Sequence, residues 1–116
     1  MVAFDMLIGN EALRARLQSD LSEGRLSHAY LIEGPEGSGR RTLATALAAA
    51  LACEERGASN SLPCGRCNAC RKVLENKSPD LIRIRRDGKK ASIGVDEVRF
   101  LRGDVCVRPN DLETKI

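Results

Sequence analysis

Apolar residues recur at helical spacing in several stretches of the chain. Leu13, Leu17 and Leu21 follow one another every four residues with charged residues between them, which predicts an amphipathic helix. Asn10 is the expected N-cap of this helix, and Gly24 follows its expected end. Phe4–Asn10 leads into it. Apolar spacing and helix propensity predict further helices at Thr42–Leu51, Asn68–Glu75 and Val95–Arg102.

Strand patterns lie between these helices. Ile82 and Ile84 alternate with arginines, as in a half-buried strand, and an apolar run precedes the second helix. Strands that alternate with helices predict an α/β fold. The predicted strands are Ala29–Ile32, Leu81–Arg85, Ala91–Ile93 and Thr114–Ile116. A hairpin turn at Asp87-Gly88 is expected to join the second of these strands to the third.

A glycine-rich loop joins the first predicted strand to the second helix. The stretch Gly34–Thr42 fits the pattern G-x-x-x-x-G-K-[ST], except that Arg40 and Arg41 replace the lysine and the hydroxyl residue. Its glycines let backbone N–H groups close around phosphate, whereas ATP hydrolysis needs the two replaced side chains. The loop therefore predicts anion binding without a catalytic residue. The candidate phosphate-binding residues are Gly34, Gly37, Ser38, Gly39, Arg40, Arg41 and Thr42.

Four of the five cysteines have metal-ligand spacing. Cys64, Cys67 and Cys70 repeat C-x-x-C with a shared middle residue, and Cys53 precedes them. Four thiolates complete a tetrahedral zinc shell with no open position, so the expected site is structural. A redox dithiol and an iron–sulfur cluster are the alternatives. Cys106 lies between two valines and is expected to be a buried hydrophobe. His28 is expected to pack or form hydrogen bonds rather than bind metal.

Composition limits the class of protein but indicates little about its function. The chain has 116 residues, is 42% hydrophobic and 30% charged, and carries a net charge of +3. These values fit a small globular domain, and we expect a cytosolic location because no apolar run approaches the length of a membrane span. The basic residues Arg85, Arg86, Lys89 and Lys90 are interpreted as a solvated hairpin tip, with a DNA contact as the alternative.

Several motifs in this order resemble bacterial clamp-loader subunits of the AAA+ class. The resemblance rests on Ser27–Gly39, the cysteine knuckle Cys64–Cys70, Ser78-Pro79-Asp80, Ser92–Asp96 and Leu101–Pro109. It implies that residues 1–116 are the N-terminal portion of an AAA+ P-loop αβα domain with a zinc-binding insertion at about 53–70. The Walker B, sensor, lid and collar elements of the family are expected outside this stretch. Without the intervening strands of that sheet, the chain is expected to self-associate.

Within that family, the altered phosphate loop is typical of the delta-prime branch, because the gamma/tau motor branch keeps Lys and Thr. The resemblance thus implies a non-hydrolysing stator that helps to load the sliding clamp on primed DNA. Its partners would be gamma/tau and delta in the DNA polymerase III holoenzyme, a nucleotidyltransferase complex, with DNA contacted only through the assembly. The alternatives are a gamma/tau-like ATPase, another P-loop nucleotide-binding protein and a zinc-ribbon adaptor.

Overall fold

The computed structural model describes residues 9–54, 63–86 and 88–116, and the elements it contains there are helices. These are α1 (Glu11–Ser22), α2 (Arg40–Ala52), α3 (Asn68–Leu74) and α4 (Val95–Asp104). Each corresponds to a predicted helix, although α2 begins two residues before Thr42 and α4 extends two residues beyond Arg102. The chain forms two compact units, Met1–Lys77 and Ser78–Ile116. None of the helices in the described ranges has the length and apolar character needed to cross a membrane.

Helix α1 buries the stripe that its sequence predicts. Leu17 and Leu21 are buried, while Leu13 at the N-terminal end of the stripe is partly exposed. Asn10 is the N-cap, as expected, but its backbone is left-handed with φ of 54° and its side chain makes no capping hydrogen bond. The backbone carbonyl of Asn10 instead accepts the N–H of Arg14 at 3.1 Å. The predicted position of the N-cap is therefore correct, although the side chain of Asn10 does not cap the helix.

Helices α2 and α3 pack against each other and form the core of the first unit. The alanine-rich face of α2 is buried from Ala46 to Ala50, and Val73 of α3 is fully buried. Small alanine side chains let another helix approach closely. Leu43 and Leu47 of α2 are also buried, and they line a pocket together with Leu13 and Leu17 of α1. This packing brings the C-terminal half of α2 next to α3.

The predicted strands are not formed in the described ranges, so the sheet of the expected α/β fold is absent there. The stretch from Ala29 to Ile32 has no helix or ladder assignment, and 86% of Leu31 is exposed. An apolar run becomes a strand only when a neighbouring segment pairs with its N–H and C=O groups, and no described segment does so here. Positions 91–93 are exposed and form a bend at 91–92 rather than a returning strand. Asp87 of the predicted turn and Phe4–Ile8 lie outside the described residues.

Asp80 organises the second unit. Its side chain is fully buried, and its carboxylate accepts backbone N–H groups from Asn110, Asp111 and Leu112 at 2.8, 2.7 and 2.8 Å. Burial opposes ionisation of Asp80, but these three donors outweigh it and hold the pKa of the carboxyl below its usual value. The carboxylate therefore fixes a loop that lies thirty residues further along the chain.

Two backbone hydrogen bonds extend this arrangement. Ile116 N–H donates to the carbonyl of Asp80, and Ile82 N–H donates to the carbonyl of Ile116, both at 2.9 Å. Bonds that flank one residue in this way have the pattern of a parallel strand pair. Lys115 also pairs with Asp104 of α4 at 2.8 Å. The expected strand near Ile116 is thus represented by these two bonds alone.

Helix α4 and Cys106 differ from expectation. The apolar spacing of Val98 and Leu101 places them on one face of this helix, yet α4 has no buried residue and Val98 and Phe100 are exposed. Cys106, expected to be buried, is exposed as well. The apolar spacing specifies which residues share a face of α4, but the burial of that face depends on a neighbour that the sequence pattern does not specify.

Candidate functional site

Four cysteines converge at the C-terminal end of α2 and the start of α3. Their Sγ atoms, from Cys53, Cys64, Cys67 and Cys70, all lie within 4.8 Å of one another. Cys53 directly follows α2, Cys67 is the N-cap of α3, and Cys70 lies in its first turn. The packing of α2 on α3 therefore brings Cys53 to the three cysteines of the C-x-x-C segment.

Backbone N–H groups orient two of the sulfur atoms. Cys64 Sγ accepts the N–H groups of Arg66 at 3.4 Å and of Cys67 at 3.3 Å. Cys67 Sγ accepts the N–H of Cys70 at 3.3 Å, which is the capping bond of α3. Gly65 adopts a φ of 71°, a left-handed conformation that glycine adopts without strain. The C-x-x-C segment thus turns tightly and points its sulfurs inward.

The protein environment acts differently on two of these thiols. Burial opposes ionisation of Cys64, but N–H donation from Cys67 and Arg66 outweighs it and lowers the pKa to about 7. Burial raises the pKa of Cys70 above its usual value, and its Sγ lies 3.5 Å from the carbonyl oxygen of Ala49. A cation placed among the sulfurs would reverse this penalty for Cys70, because it stabilises a coordinating thiolate.

The geometry of the cluster fits a tetrahedral metal. Zn–S bonds of about 2.3 Å place tetrahedral sulfurs about 3.8 Å apart. The Sγ atoms of Cys64 and Cys70 are 3.9 Å apart, and the remaining separations need to contract by less than about 1 Å to reach this value. A donor set of sulfur alone suits zinc or an iron–sulfur cluster and does not suit Mg²⁺ or Ca²⁺. His28 is exposed rather than packed, and it is not among these four residues.

The glycine-rich loop has the backbone geometry of a turn that feeds a helix. Gly37 and Gly39 adopt φ of 78° and 87°, and Gly39 is the N-cap of α2. A Cβ placed on Gly34 would lie 2.7 Å from Ser38 Oγ, so the loop closes on itself at this glycine. The N–H of Leu43 bonds the carbonyl of Gly39. Because Leu43 makes the first bond of the helix, the preceding N–H groups have no intrahelical acceptor.

The two arginines of the loop lie at this end of α2. Arg40 and Arg41 are the first two residues of the helix and both are exposed, whereas Thr42 is half-buried. The loop thus offers backbone N–H groups, the positive end of a helix dipole and two guanidinium groups. This combination can attract an anion. It places no lysine ammonium and no hydroxyl at the two positions where the phosphate-loop pattern has them.

Two features of this chain have no counterpart in its sequence patterns. One is a cavity of about 460 Å³ in the first unit, lined by apolar residues that include Leu17, Leu31 and Leu47. The other is the carboxylate of Asp80, which appeared only as part of a motif. Neither has a local signal, because each depends on residues brought together from distant parts of the chain.

Comparisons with known proteins agree with the motifs. The family described as "DNA polymerase III, delta subunit" matches residues 9–116. The chain is 33% identical over 113 residues to DNA polymerase III subunit tau of Bacillus subtilis (strain 168), covering 97% of this chain and 19% of that protein. It is 35% identical over 107 residues to DNA polymerase III subunit gamma/tau of Mycobacterium tuberculosis (strain ATCC 25618 / H37Rv), which covers 92% of this chain and 18% of that protein. Protein STICHEL-like 1 of Arabidopsis thaliana is 38% identical to the chain over 98 residues, which covers 84% of this chain and 8% of that protein.

The chain spans less than a fifth of the length of each of these relatives. The similarity nevertheless extends over both units of the chain, since the family match runs from residue 9 to residue 116. The loop at Gly34 and the cysteine cluster lie within that match. The chain therefore belongs to the DNA polymerase III delta-subunit family, in keeping with the clamp-loader AAA+ class that its motifs resemble.

Proposed function

We propose that this chain is part of a clamp-loader subunit of the delta-prime type, which binds an anion in its loop without hydrolysing ATP. Residues 1–116 would be the N-terminal portion of its AAA+ P-loop domain. Its partners would be the gamma/tau and delta subunits of DNA polymerase III, and DNA would be engaged through the assembled complex. Its role would be that of a stator during loading of the sliding clamp on primed DNA.

The observation that carries the proposal is the pair Arg40 and Arg41 at the first two positions of α2. Phosphoryl transfer depends on positioning and on neutralising charge, and the lysine and the Mg²⁺-binding hydroxyl supply both. An arginine keeps the positive charge of the lysine but has a planar fork in place of a compact ammonium. Loss of one such electrostatic contact typically lowers the rate about 10²–10³-fold.

A gamma/tau-like ATPase is the second candidate, and the names of the relatives favour it. The bacterial relatives given above are tau and gamma/tau subunits, although the matching family is described as delta. Thr42 follows the two arginines and carries a hydroxyl one position beyond the usual one. If the backbone shifted by one residue on binding nucleotide, this hydroxyl would ligate Mg²⁺.

ATP binding and turnover separate the two candidates. The unmodified chain is expected to bind inorganic phosphate weakly, with no gain in ATP affinity when Mg²⁺ is added. The double variant Arg40→Lys, Arg41→Thr restores the pattern and is expected to gain Mg²⁺-dependent ATP affinity. Isothermal titration of both proteins with ATP, with and without Mg²⁺, measures this difference. Mg²⁺-dependent ATP turnover by the unmodified protein would overturn the stator assignment.

The proposal includes a structural zinc ion bound by Cys53, Cys64, Cys67 and Cys70. Its support is the sulfur geometry, the tetrahedral fit and the absence of any nitrogen or oxygen donor from this cluster of four. In this position the ion would tie the end of α2 to the start of α3. Metal binding energy would then contribute directly to folding of the first unit.

A further inference from the structure

The members of the cysteine cluster differ in their access to solvent. The cluster consists of Cys53, Cys64, Cys67 and Cys70. Cys67 is half-buried, and its neighbours Arg66 and Asn68 are exposed. The other three cysteines are buried, with at most 8% of each exposed. A small reagent in the solvent therefore reaches the cluster first at Cys67, the N-cap of α3.

The sulfur of Cys64 is held next to Cys67. The backbone N–H of Cys67 donates to Cys64 Sγ at 3.3 Å, and the Sγ atoms of the two residues lie within 4.8 Å of each other. Two residues separate these cysteines, and Gly65, with φ of 71°, turns the chain back between them. A disulfide of about 2 Å requires the sulfurs to approach by less than about 3 Å. Such a movement stays within one C-x-x-C turn, the arrangement in which dithiols commonly form disulfides.

Cys70 is a poorer partner for Cys67. It is fully buried, and its Sγ lies 3.5 Å from the carbonyl oxygen of Ala49 in α2. Movement of this sulfur toward Cys67 would break a contact between α2 and α3, whereas the hydrogen bonds to Cys64 Sγ come from its own turn. Cys64 Sγ and Cys70 Sγ are 3.9 Å apart, yet both residues are buried, so a reagent from the solvent does not meet this pair first.

We infer that Cys67 is the oxidation site of the cysteine cluster, and that hydrogen peroxide joins it to Cys64 in a disulfide that dismantles the metal site. The inference rests on the structural zinc of the proposed function and adds a modification that removes it. Bound zinc keeps its cysteine ligands as thiolates. The disulfide consumes two of the four ligands, so Cys53 and Cys70 alone cannot complete a tetrahedral shell.

The two steps of this oxidation need no reactant besides peroxide and the protons of water. The thiolate of Cys67 attacks one oxygen of peroxide, the O–O bond breaks, and hydroxide leaves, so that Cys67 becomes a sulfenic acid. The thiolate of Cys64 then attacks the oxidised sulfur, the S–S bond forms, and a second hydroxide leaves. The two sulfurs together lose two electrons to peroxide, and two protons convert both hydroxides to water.

Oxidation would weaken the connection between α2 and α3. Cys53 directly follows α2, and Cys67 and Cys70 belong to the start of α3, so a shared ion would join the two helices. A disulfide between Cys64 and Cys67 contains no atom of α2 and cannot replace this link. Since metal binding energy contributes to folding, the melting temperature of the oxidised chain should fall toward that of the chain in EDTA.

Peroxide treatment of the zinc-loaded 116-residue chain tests the inference in a Cys106→Ser background. This substitution removes the exposed thiol that is not part of the cluster. A chromogenic chelator measures zinc release, non-reducing peptide mass spectrometry identifies the disulfide, and dimedone traps the first sulfenic acid. We expect a dimedone adduct at Cys67, a disulfide between Cys64 and Cys67, and equimolar release of zinc. Dithiothreitol with added zinc should restore the metal content.

Two variants that each lack one ligand separate the second step from the first. In Cys64→Ser the sulfenic acid has lost its partner, so the dimedone adduct at Cys67 should increase and the disulfide should be lost. In Cys70→Ser, the matched control, the disulfide between Cys64 and Cys67 should still form. Circular dichroism compares the helix content of both variants with that of the parent, and the maps of the parent do not depend on either variant.

Three outcomes would overturn the inference. They are retention of zinc and free thiols in peroxide, a first dimedone adduct at one of the buried cysteines, and a disulfide between any other pair of the cluster. A native mass spectrum without zinc before peroxide is added would overturn the zinc assignment instead, and the dimedone and disulfide maps would still decide whether Cys67 is oxidised first. None of these outcomes bears on the anion site at Gly34, so failure here is distinguishable from failure of the proposed function.

Discussion

Replacement of Cys67 by serine separates the metal contribution of this residue from its role as a helix cap. Cys67 Sγ accepts the N–H of Cys70 at 3.3 Å and also belongs to the sulfur cluster. Serine is a favoured N-cap, so its hydroxyl can keep the capping bond while the thiolate is lost. Cys67→Ser is therefore expected to weaken zinc binding with little other effect on α3.

The expected loss of zinc affinity follows from the number of thiolate ligands. Structural zinc sites contribute about 10–16 kcal/mol, and one of four thiolates accounts for about 2.5–4 kcal/mol if the ligands share it evenly. This corresponds to about 10²–10³-fold in zinc affinity. At a fixed zinc concentration the same free energy is lost from folding of the first unit. The melting temperature should then fall by more than about 10 °C.

The assay is thermal unfolding in zinc and in EDTA, with native mass spectrometry to count the metal. In zinc, Cys67→Ser should unfold well below the parent and should bind its ion about 10²–10³-fold more weakly. In EDTA the two proteins should differ by less than about 0.5 kcal/mol, because the cap is retained. Cys67→Ala should lose about 1 kcal/mol more than Cys67→Ser in both conditions.

Cys106→Ser is the matched control. Cys106 is exposed and lies outside the cluster, so its replacement should leave the zinc content and the melting temperature unchanged. The reasoning is refuted if EDTA leaves the parent's melting temperature unaltered, or if Cys67→Ser keeps one equivalent of zinc and the parent's stability in zinc.

Three further predictions concern other residues. Asp80→Asn should destabilise the second unit by about 2–4 kcal/mol in urea unfolding, because an amide cannot accept all three N–H groups. The control Asp96→Asn, at a side chain that is 95% exposed, should change the free energy of unfolding by less than about 0.5 kcal/mol. Because the folded pKa of Asp80 is lowered, its contribution should be complete above about pH 4 and should disappear as the pH falls through the folded pKa, so the two curves should converge in acid. Gly39→Ala should cost about 1 kcal/mol, since φ is 87°, and should weaken phosphate binding measured by titration. Iodoacetamide should alkylate Cys106 before the other four cysteines, as followed by peptide mass spectrometry; equal rates would contradict its unique exposure.

The sequence predicts the helices and the cysteine cluster well because both have local signals. Apolar spacing identified α1 and α2, and the C-x-x-C repeat identified three residues of the cluster within seven positions. Cys53 was also assigned correctly to the cluster, although it lies eleven residues before Cys64. Packing of α2 on α3 brings it there, so the helix prediction and the metal prediction support each other.

The strands, Cys106 and the role of Asp80 were not predictable in the same way. Leu31 belongs to an apolar run that is exposed, because a strand requires a partner that the run itself does not specify. Cys106 lies between apolar residues and is exposed for a related reason, since burial depends on tertiary neighbours. The hydrogen bonds of Asp80 reach residues 30–32 positions away, beyond the range of any local pattern.

The bonds of Asp80 also predict an order of folding for the second unit. Closing a loop of about 35 residues costs about 3 kcal/mol in chain entropy, while the two hydrogen bonds between Ile116 and the Asp80–Ile82 segment contribute about 1 kcal/mol each. Those two bonds alone would leave the loop open. Three bonds to a charged carboxylate contribute about 1.5–3 kcal/mol each and are sufficient to close it. Once Asp111 and Leu112 are held, only a few residues separate them from Ile116, so the pairing of Ile116 with Ile82 becomes a local event. Folding of the second unit should therefore proceed from helix α4, through capture of Asn110–Leu112 by Asp80, to that pairing, with Asp80 setting the rate of the long-range step.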